Sequence, residues 1–181
     1  MKGQFFIIGA LLISAMLFLG LPRIALLSGQ DPDLTMISRN LRFEYPHALN
    51  LGINQSSVTG TMNNFTVFLH QRLLERRVNL TALWVVVRNQ SSNDINVTAG
   101  NLLGHGETLY INLTPTPVKS IFVGDSSLNS TYFSDTGDIF NITVSLGQQS
   151  STFEMPRTKA GLYVLYRLSR GENEIVNTVI G

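Results

Sequence analysis

The 181-residue sequence has no cysteine and few charged residues. Without cysteine the chain forms neither disulfides nor sulfur-ligated metal sites, but many exported domains also lack disulfides, so the compartment is not indicated. Charged residues make up 14% of the chain, and from residue 31 onward 11 Lys and Arg stand against 12 Asp and Glu. A nucleic-acid-binding domain usually carries a basic excess. We therefore expect no nucleic-acid partner.

The sequence also lacks the residue patterns of common catalytic and metal sites. Its only histidines are His47, His70 and His105, and none stands in a spacing that brings two metal ligands onto one face. No nucleophile elbow, Walker A loop or dinucleotide-binding glycine motif occurs. Asp135 and Asp138, which flank a turn, are interpreted as solvated loop acids, with a weak calcium site as the alternative. We predict no catalytic residue, no metal site and no cofactor.

What the sequence does contain is an uncharged apolar run over residues 5–21, with Lys2 before it and Arg23 after it. As a helix these residues would span about 26 Å, close to the hydrocarbon thickness of a bilayer. A buried core helix is one alternative. A cleaved secretory signal is another, but Leu27 at position −3 makes a poor cleavage site. We therefore interpret residues 1–27 as a signal anchor that crosses the membrane once.

The first residues resemble a known export signal. Lys2, Gly3 and Gln4, followed directly by the apolar run, resemble the class III signal of archaeal type IV pilins and archaellins. The resemblance implies that a prepilin peptidase cuts between Gly3 and Gln4. It also implies that residues 5–21 stay in place as a membrane anchor and a potential filament core. An archaeal, pilin-like surface protein is therefore expected.

The asparagines are a second indication of where the protein is located. Eight of the 15 Asn begin an N-x-Ser/Thr triplet without a central proline, about three times the chance number when 31 of 181 residues are Ser or Thr. As acceptors of N-linked glycans, these triplets favour an extracellular C-terminal part. A compatible interpretation is strand alternation, with Asn and Thr outward and an apolar residue inward, as we expect at Asn96 and Asn141. The candidate sites are Asn54, Asn64, Asn79, Asn89, Asn96, Asn112, Asn129 and Asn141.

After the anchor, the apolar pattern predicts an α-helical hairpin. Asp33 is expected to cap the first helix, and Pro46 is expected to kink or split it. A turn is predicted at residues 52–60, followed by a second helix over about residues 62–78. Apolar positions recur in steps of three and four, at Leu34, Ile37, Leu41, Tyr45 and Ala48, and again at Met62, Phe65, Leu69 and Leu73.

The second predicted helix carries a basic stripe of Arg72, Arg76 and Arg77. A stripe of this kind is usually a solvated helix face, which is the simpler interpretation. The alternative is contact with anionic lipid headgroups or with a neighbouring subunit.

From Leu80 onward the apolar period changes to that of strands. Residues 80–89 are rich in β-branched residues, which indicates a central strand buried on both faces, with Trp84 in the core. Short strands without intervening helices favour antiparallel pairing in a sandwich or curled sheet. The predicted strands cover residues 80–89, 95–104, 107–115, 118–125, 129–134, 138–147, 151–157, 161–170 and 174–180, and the last two form the clearest hairpin.

The whole pattern predicts an α+β chain in four parts. They are a transmembrane helix within residues 1–27, a linker (28–33), an α-hairpin packed on the sheet (34–79) and an antiparallel β-sandwich-like domain (80–181). The expected protein is a non-enzymatic, single-pass cell-membrane protein with its C-terminal domain outside the cell. Its expected role is structural, adhesive or pilin-like, with the lipid bilayer, envelope proteins or its own copies in filaments as partners. The alternative is a surface hydrolase or solute-binding module that uses carboxylates assembled by the fold.

Overall fold

The computed structural model describes residues 31–90, 94–134, 139–156 and 158–181. The predicted anchor and the Gly3–Gln4 bond lie outside the described residues, as do Asp135 and Asp138. Among the described residues, no helix is both long and apolar enough to cross a membrane. Asp33–Gly181 form one compact unit.

In the described part of the chain, two helices precede nine strands, in the order predicted from the sequence. The helices are α1 (Pro32–Asn54) and α2 (Val58–Glu75). The strands are β1 (Asn79–Asn89), β2 (Asp94–Leu102), β3 (Glu107–Thr114), β4 (Lys119–Val123), β5 (Ser127–Ser134), β6 (Ile139–Leu146), β7 (Gln149–Pro156), β8 (Gly161–Arg170) and β9 (Asn173–Ile180). The predicted α+β class, with two helices and β-sandwich-like sheets, is confirmed.

The strands form two antiparallel sheets that lie face to face. The five-stranded sheet has the order β5-β2-β1-β8-β9, and the four-stranded sheet has the order β4-β3-β6-β7. The helices cover the outer face of the five-stranded sheet, where Trp84, Val164 and Tyr166 share a core with Leu34 and Met62. We call this the helix-facing core. The molecule therefore has three layers: helices, a five-stranded sheet and a four-stranded sheet.

A second core, the inter-sheet core, lies between the two sheets. Strand β1 contributes to both cores because successive side chains of a strand point to opposite faces. Leu83 and Val85 enter the inter-sheet core, whereas Trp84 enters the helix-facing core and keeps only 1% of its surface exposed. Strand β1 lies between β2 and β8. The predictions of a central strand buried on both faces and of a buried Trp84 are confirmed.

Gly100 of β2 leaves room for the Trp84 ring. The two residues are paired across the strands, and a Cβ added to Gly100 would lie 2.3–2.6 Å from three atoms of the indole. Replacing Gly100 by alanine should destabilise the domain by about 1–3 kcal/mol, because the ring would have to move within a closely packed core. Denaturant unfolding measures this loss. In a Trp84→Leu background the same substitution should cost much less, and an equal loss in both backgrounds would contradict the contact.

A kink or a split was predicted at Pro46. Helix α1 runs without a break past this proline, so the split is wrong. A proline inside a helix loses one backbone hydrogen bond. Here the neighbours Tyr45 and Ala48 are buried in the helix-facing core and keep the flanking turns helical. The helix begins at Pro32, a favoured first residue, which places Asp33 within the first turn rather than at the cap.

The link between the helices is shorter than the turn predicted at residues 52–60. Helix α1 extends to Asn54 and α2 already begins at Val58. Gly52 permits this short link, because a Cβ at that position would lie 2.9 Å from the Cα atom of Val58. The absence of a side chain lets the two helices approach closely at the link.

Helix α2 ends at Glu75, earlier than predicted. The amide of Val78 donates to the carbonyl of Leu73, and the amide of Arg77 donates to the carbonyl of Leu74. With Arg77 at a positive φ of 58°, these two bonds form a Schellman motif. Val78 and Leu73 are both buried at this end. The chain therefore leaves the helix directly into β1.

Hydrogen bonds made by side chains also join α1 to the five-stranded sheet. The Tyr166 hydroxyl of β8 donates to the carbonyl oxygen of Ser38 (2.9 Å) and lies 2.8 Å from the Ser38 hydroxyl. Arg42 donates to the side-chain oxygen of Asn177 on β9 at 2.8 Å. These bonds, together with the apolar contacts, fix α1 along β8 and β9.

Candidate functional site

The three histidines lie on different parts of the fold and do not come together. His47 is exposed on α1, and the Nδ1 atom of His70 on α2 lies 2.8 Å from the carbonyl oxygen of Leu80. His105, between β2 and β3, has its Nε2 atom 2.8 Å from a carboxylate oxygen of Glu107. Within the described ranges, no group of three or more His, Asp or Glu side chains is arranged to hold a metal ion.

Three cavities stand out on the described surface, and none is lined by Asp or Glu. One of about 560 Å³ lies beside the α1–α2 link and is lined by Arg88 and Lys159. A second, of about 500 Å³, lies between β7 and β9; burial raises the pKa of Tyr163 there, and a hydrogen bond with Ser151 opposes the shift. The third, of about 350 Å³, is a groove between the helices beside Phe68. None offers the pair of carboxylates that glycoside hydrolysis requires.

Most candidate glycosylation sites lie on the surface. A glycan needs an Asn side chain that reaches solvent. Asn112 on β3 is half-buried. The exposed sites are Asn54 on α1, Asn64 on α2, Asn79 and Asn89 at the two ends of β1, Asn129 on β5 and Asn141 on β6.

Asn96 is the exception, and the prediction that its side chain points to solvent is wrong. It retains only 5% of its surface exposed, and its side-chain oxygen accepts a hydrogen bond from the Thr98 hydroxyl at 2.8 Å. Both faces of β2 are covered: Val97 enters the inter-sheet core, while Asn96 and Thr98 point to the side on which the helices lie. Alternation of polar and apolar residues does not distinguish a solvated polar face from a buried, hydrogen-bonded one.

The triplets that begin at Asn112 and Asn141 lie on neighbouring strands of the four-stranded sheet. In the β3–β6 register, Asn112 is paired with Thr143, and Thr114 is paired with Asn141. The two triplets therefore run antiparallel, with each acceptor Asn opposite the Thr of the other triplet. In the same sheet the Thr143 hydroxyl lies 2.8 Å from that of Thr152. This pairing depends on strand register and therefore could not be predicted from the triplets alone.

Exposed apolar side chains are a further surface feature of the described residues. The alternation in β4 indicates one of them, since Phe122 lies between the buried Ile121 and Val123 and must point outward. Tyr110 and Phe122 lie on the outer face of the four-stranded sheet, whereas Tyr132, which precedes the buried Phe133, lies on the other side of the sandwich. The exposed apolar residues include Met36, Phe43, Leu51, Phe68 and Leu74 on the helices and Tyr110, Phe122, Leu128 and Tyr132 on β3, β4 and β5.

Comparison with known protein families and with curated protein sequences finds no match to this chain.

The contrast between Asn141 and Asn96 makes a testable prediction about glycosylation. Asn141→Gln should remove the mass of one glycan from the native protein and change the stability of bacterially made protein by less than about 0.5 kcal/mol, because the side chain is exposed. Asn96→Gln should remove no glycan and should destabilise the unglycosylated protein by about 1–3 kcal/mol, because the longer amide disturbs a buried hydrogen bond. Peptide mapping and urea unfolding measure the two effects. A glycan on Asn96, or none on Asn141, would contradict the assignment.

Proposed function

We propose that this chain is a non-enzymatic, membrane-anchored surface protein with a structural, adhesive or pilin-like role. The observation that carries the proposal is the exposure of six of the eight candidate acceptor Asn on a chain with an uncharged apolar run at residues 5–21. These six residues are distributed over both helices and both sheets. A domain that carries glycans on several sides suits a role at the cell surface.

Within the described residues, the three cavities have no Asp or Glu in their lining, and the histidines lie apart. Exposed apolar side chains, such as Phe68 on α2 and Phe122 on β4, are available for contacts with envelope proteins or with further copies. No observation among the described residues favours the alternative of a surface hydrolase or solute-binding module.

The N-terminal part of the proposal rests on the resemblance to class III signals. A prepilin peptidase would cut between Gly3 and Gln4, and residues 5–21 would remain in the bilayer with the C-terminal domain outside the cell. Anchored in this way, the chain would be either a single surface protein or a subunit of a filament.

Intact mass of the native protein tests cleavage and glycosylation together. We expect the mass to lack residues 1–3 and to exceed the remaining polypeptide by the mass of several glycans. A mass of 20.0 kDa, that of the unmodified full chain, would contradict both parts of the proposal. Loss of the first 27 residues or more would show a cleaved secretory signal instead of an anchor.

The anchor itself is tested by placing a charge in the apolar run. Leu12→Arg should cost about 2.5–3.5 kcal/mol of insertion free energy and should release or misplace the domain. Carbonate extraction of membranes measures the released fraction. Leu12→Ile, and Val118→Arg on an exposed loop, are matched controls that should leave the chain in the membrane fraction. If Leu12→Arg extracts no more readily than Leu12→Ile, residues 5–21 are not the anchor.

A further inference from the structure

The two sheets differ by one strand, and the difference falls at the edge formed by β7 and β9. The larger sheet has the order β5-β2-β1-β8-β9, and the smaller sheet has the order β4-β3-β6-β7. A Cβ added to Gly161, at the start of β8, would lie 2.6 Å from the sulfur of Met155 and 3.1 Å from the Phe153 ring, so β7 lies over β8. Strand β9 therefore projects one strand beyond β7, and among the described residues no strand covers this face of β9.

The uncovered face of β9 carries apolar side chains that point to the inner side of the sandwich. In the β8–β9 register Ile180 is paired with Tyr163, which is buried in the inter-sheet core. Paired residues of antiparallel strands share a face, and the side chains of Val176 and Thr178 alternate onto the same face as Ile180. Val176 and Ile180 nevertheless remain 50% and 47% exposed. They occupy core-facing positions that no other described residue covers.

The opposite edge of the sandwich is closed by hydrogen bonds between the sheets. Lys119 of β4 donates to the carbonyl oxygen of Tyr132 on β5, and its ammonium lies 4.9 Å from the centre of the Phe133 ring. Asn129 of β5 donates to the carbonyl oxygen of Phe122 on β4 at 2.8 Å. Within the described part of the chain, no hydrogen bond joins β7 to β9. We call β7 together with the uncovered face of β9 the open edge.

Both strands of the open edge have unpaired backbone groups. A two-residue loop joins β6 to β7 between the paired Leu146 and Gln149, and another joins β8 to β9 between the paired Arg170 and Asn173. In such hairpins the pair next to the loop exchanges both hydrogen bonds, and the bonding alternates along the strands. Every second residue therefore directs its N–H and C=O groups outward. These residues are Ser150, Thr152 and Glu154 on β7 and Glu174, Val176, Thr178 and Ile180 on β9.

The open edge is largely free of unpaired charge. The cavity of about 500 Å³ between β7 and β9 has no charged residue in its lining. Further along β9, Arg167 and Glu174 form an ion pair with each other, so their charges offset. Two open edges could therefore meet without bringing like charges together along this face of β9.

The strands of the open edge also carry no candidate glycan. All eight acceptor triplets begin at or before Asn141, and none begins on β7, β8 or β9. The six exposed acceptors instead lie on both helices and on other strands of both sheets. Because a glycan is bulky, a surface that contacts another protein must remain free of it. The distribution of the triplets leaves this edge available for a protein contact.

We propose that two copies of the chain interlock through their open edges about a two-fold axis parallel to the strands. A rotation about such an axis, placed midway between the sheets, exchanges the larger sheet of one copy with the smaller sheet of the other. The projecting β9 of each copy then fills the place beside β7 of the other, where the outward backbone groups of the two strands pair. The inference rests on the structural role proposed above and deepens it by naming the partner and the surface.

This axis brings identical residues face to face. Rotation about an axis parallel to the strands leaves the height along the strands unchanged, so β9 of one copy lies against β9 of the other. The backbones are then about 10 Å apart, the spacing of packed sheets, and Val176 and Ile180 become buried against their counterparts. The β7–β9 pairing is parallel and uses the first half of β7, because Ser151 forms a hydrogen bond with Tyr163, the residue paired with Ile180.

Other occupants fit the open edge less well. Two copies that paired β7 with β7 about an axis perpendicular to the sheets would place β9 of each copy where β8 of the other must lie. A single free strand of another protein could pair with β7, but it would leave the outward backbone groups of β9 unpaired. A second copy in the interlocked arrangement satisfies both strands at once and covers both apolar faces.

The absence of native cysteine allows a test by site-specific cross-linking of the full chain in its native membrane. Val176→Cys on the open edge and Tyr110→Cys on the outer face of the four-stranded sheet are matched positions, with exposures of 50% and 53%. The reagent is a bis-maleimide with a span of about 10 Å, which matches the spacing of packed sheets. We expect Val176→Cys to give cross-linked dimers and Tyr110→Cys to give none.

Ile180→Arg tests whether the cross-link depends on the open edge. In the Val176→Cys background it places two like charges against each other across the axis, which should reduce the cross-linked fraction by at least about ten-fold. Val118→Arg, at a loop residue that is 56% exposed, is the matched control and should leave the fraction unchanged. Because Ile180 is 47% exposed in a single copy, urea unfolding should show both arginine variants folded, with similar midpoints.

Three results would overturn the inference. The first is the absence of a cross-linked dimer from Val176→Cys. The second is a dimer that survives Ile180→Arg, which would mean that the copies meet elsewhere. The third is a cross-link from Val176→Cys to a different protein, or a thiol shielded from an aqueous maleimide without any cross-linked second copy, which would identify another occupant. Carbonate extraction and intact mass of the unaltered chain report separately whether it is an anchored, glycosylated surface protein.

Discussion

Replacing Trp84 by alanine should destabilise the domain by about 3–5 kcal/mol. The indole is almost fully buried in the helix-facing core, where it lies against Gly100 and among side chains of α1, α2 and β8. Truncation removes the burial of a large aromatic side chain and leaves a cavity between two layers that are held by their own hydrogen bonds. The measurement is urea unfolding of the chain from Asp31 onward, followed by far-ultraviolet circular dichroism.

The matched control for Trp84→Ala is Tyr110→Ala on the outer face of the four-stranded sheet. Tyr110 is an aromatic strand residue of similar size but is 53% exposed, so its removal should cost less than about 1 kcal/mol. Since a domain of this kind has a total stability of about 5–15 kcal/mol, the two variants should be readily distinguished. A loss below 1 kcal/mol for Trp84→Ala would contradict the packing described for the helix-facing core.

Ile142→Asn should leave the domain largely unfolded. Ile142 is fully buried in the inter-sheet core, between Leu113 of β3 and Phe153 of β7 in the strand register. The substitution removes the apolar burial of the side chain and also places an amide where no partner is positioned, at a cost of about 1–3 kcal/mol for the polar group alone. Together with the lost packing of about 2–5 kcal/mol, this approaches the stability of the whole domain.

The control for Ile142→Asn is Thr152→Asn on the exposed face of the neighbouring strand β7. It introduces the same amide into the same sheet without burying it, so the folded spectrum and a cooperative transition should remain. One-dimensional NMR shows whether each variant is folded, and denaturant unfolding measures how much stability it has lost. A folded Ile142→Asn variant with a loss below 1 kcal/mol would mean that residue 142 does not face the inter-sheet core.

The β-domain could be predicted well from the sequence because strand signals are local. Apolar residues at every second position mark the inward side of β3, β4 and β6, and short turns separate the strands. At the β8–β9 turn, Gly171 has a positive φ of 58°, as a tight hairpin requires, and the predicted hairpin is present. The continuous apolar run of β1 correctly indicated burial on both faces around Trp84.

The helix ends were predicted less well because they depend on packing rather than on local propensity. Pro46 is a strong helix-breaking signal, yet α1 continues through it because its flanking turns are held against the five-stranded sheet. The end of α2 at Arg77 could not be recognised in the sequence, because glycine is the usual residue at a left-handed helix end. Buried Val78 and Leu73 at this end determine where α2 stops.

The candidate sites, too, were predicted from local sequence only in part, and the rest depended on packing. An acceptor triplet is visible in the sequence, but its exposure depends on what covers the strand. Asn96 and Asn141 have the same local pattern, yet the first is buried and the second is exposed. The spacing of Arg72, Arg76 and Arg77 suggested a helical stripe, whereas the structure places only Arg72 within α2 and the other two at its cap.

By itself, the sequence determined the features that each short segment encodes locally: the α+β order, the strand periodicity, the apolar run at residues 5–21 and the acceptor triplets. Only the tertiary structure decided which face of β2 is covered, and that the triplets of Asn112 and Asn141 are paired across β3 and β6. The physical reason is that hydrophobic period and turn chemistry are short-range properties of the chain. Strand register, layer packing and the meeting of distant ends depend on contacts between residues far apart in sequence, such as Tyr45 with Phe65.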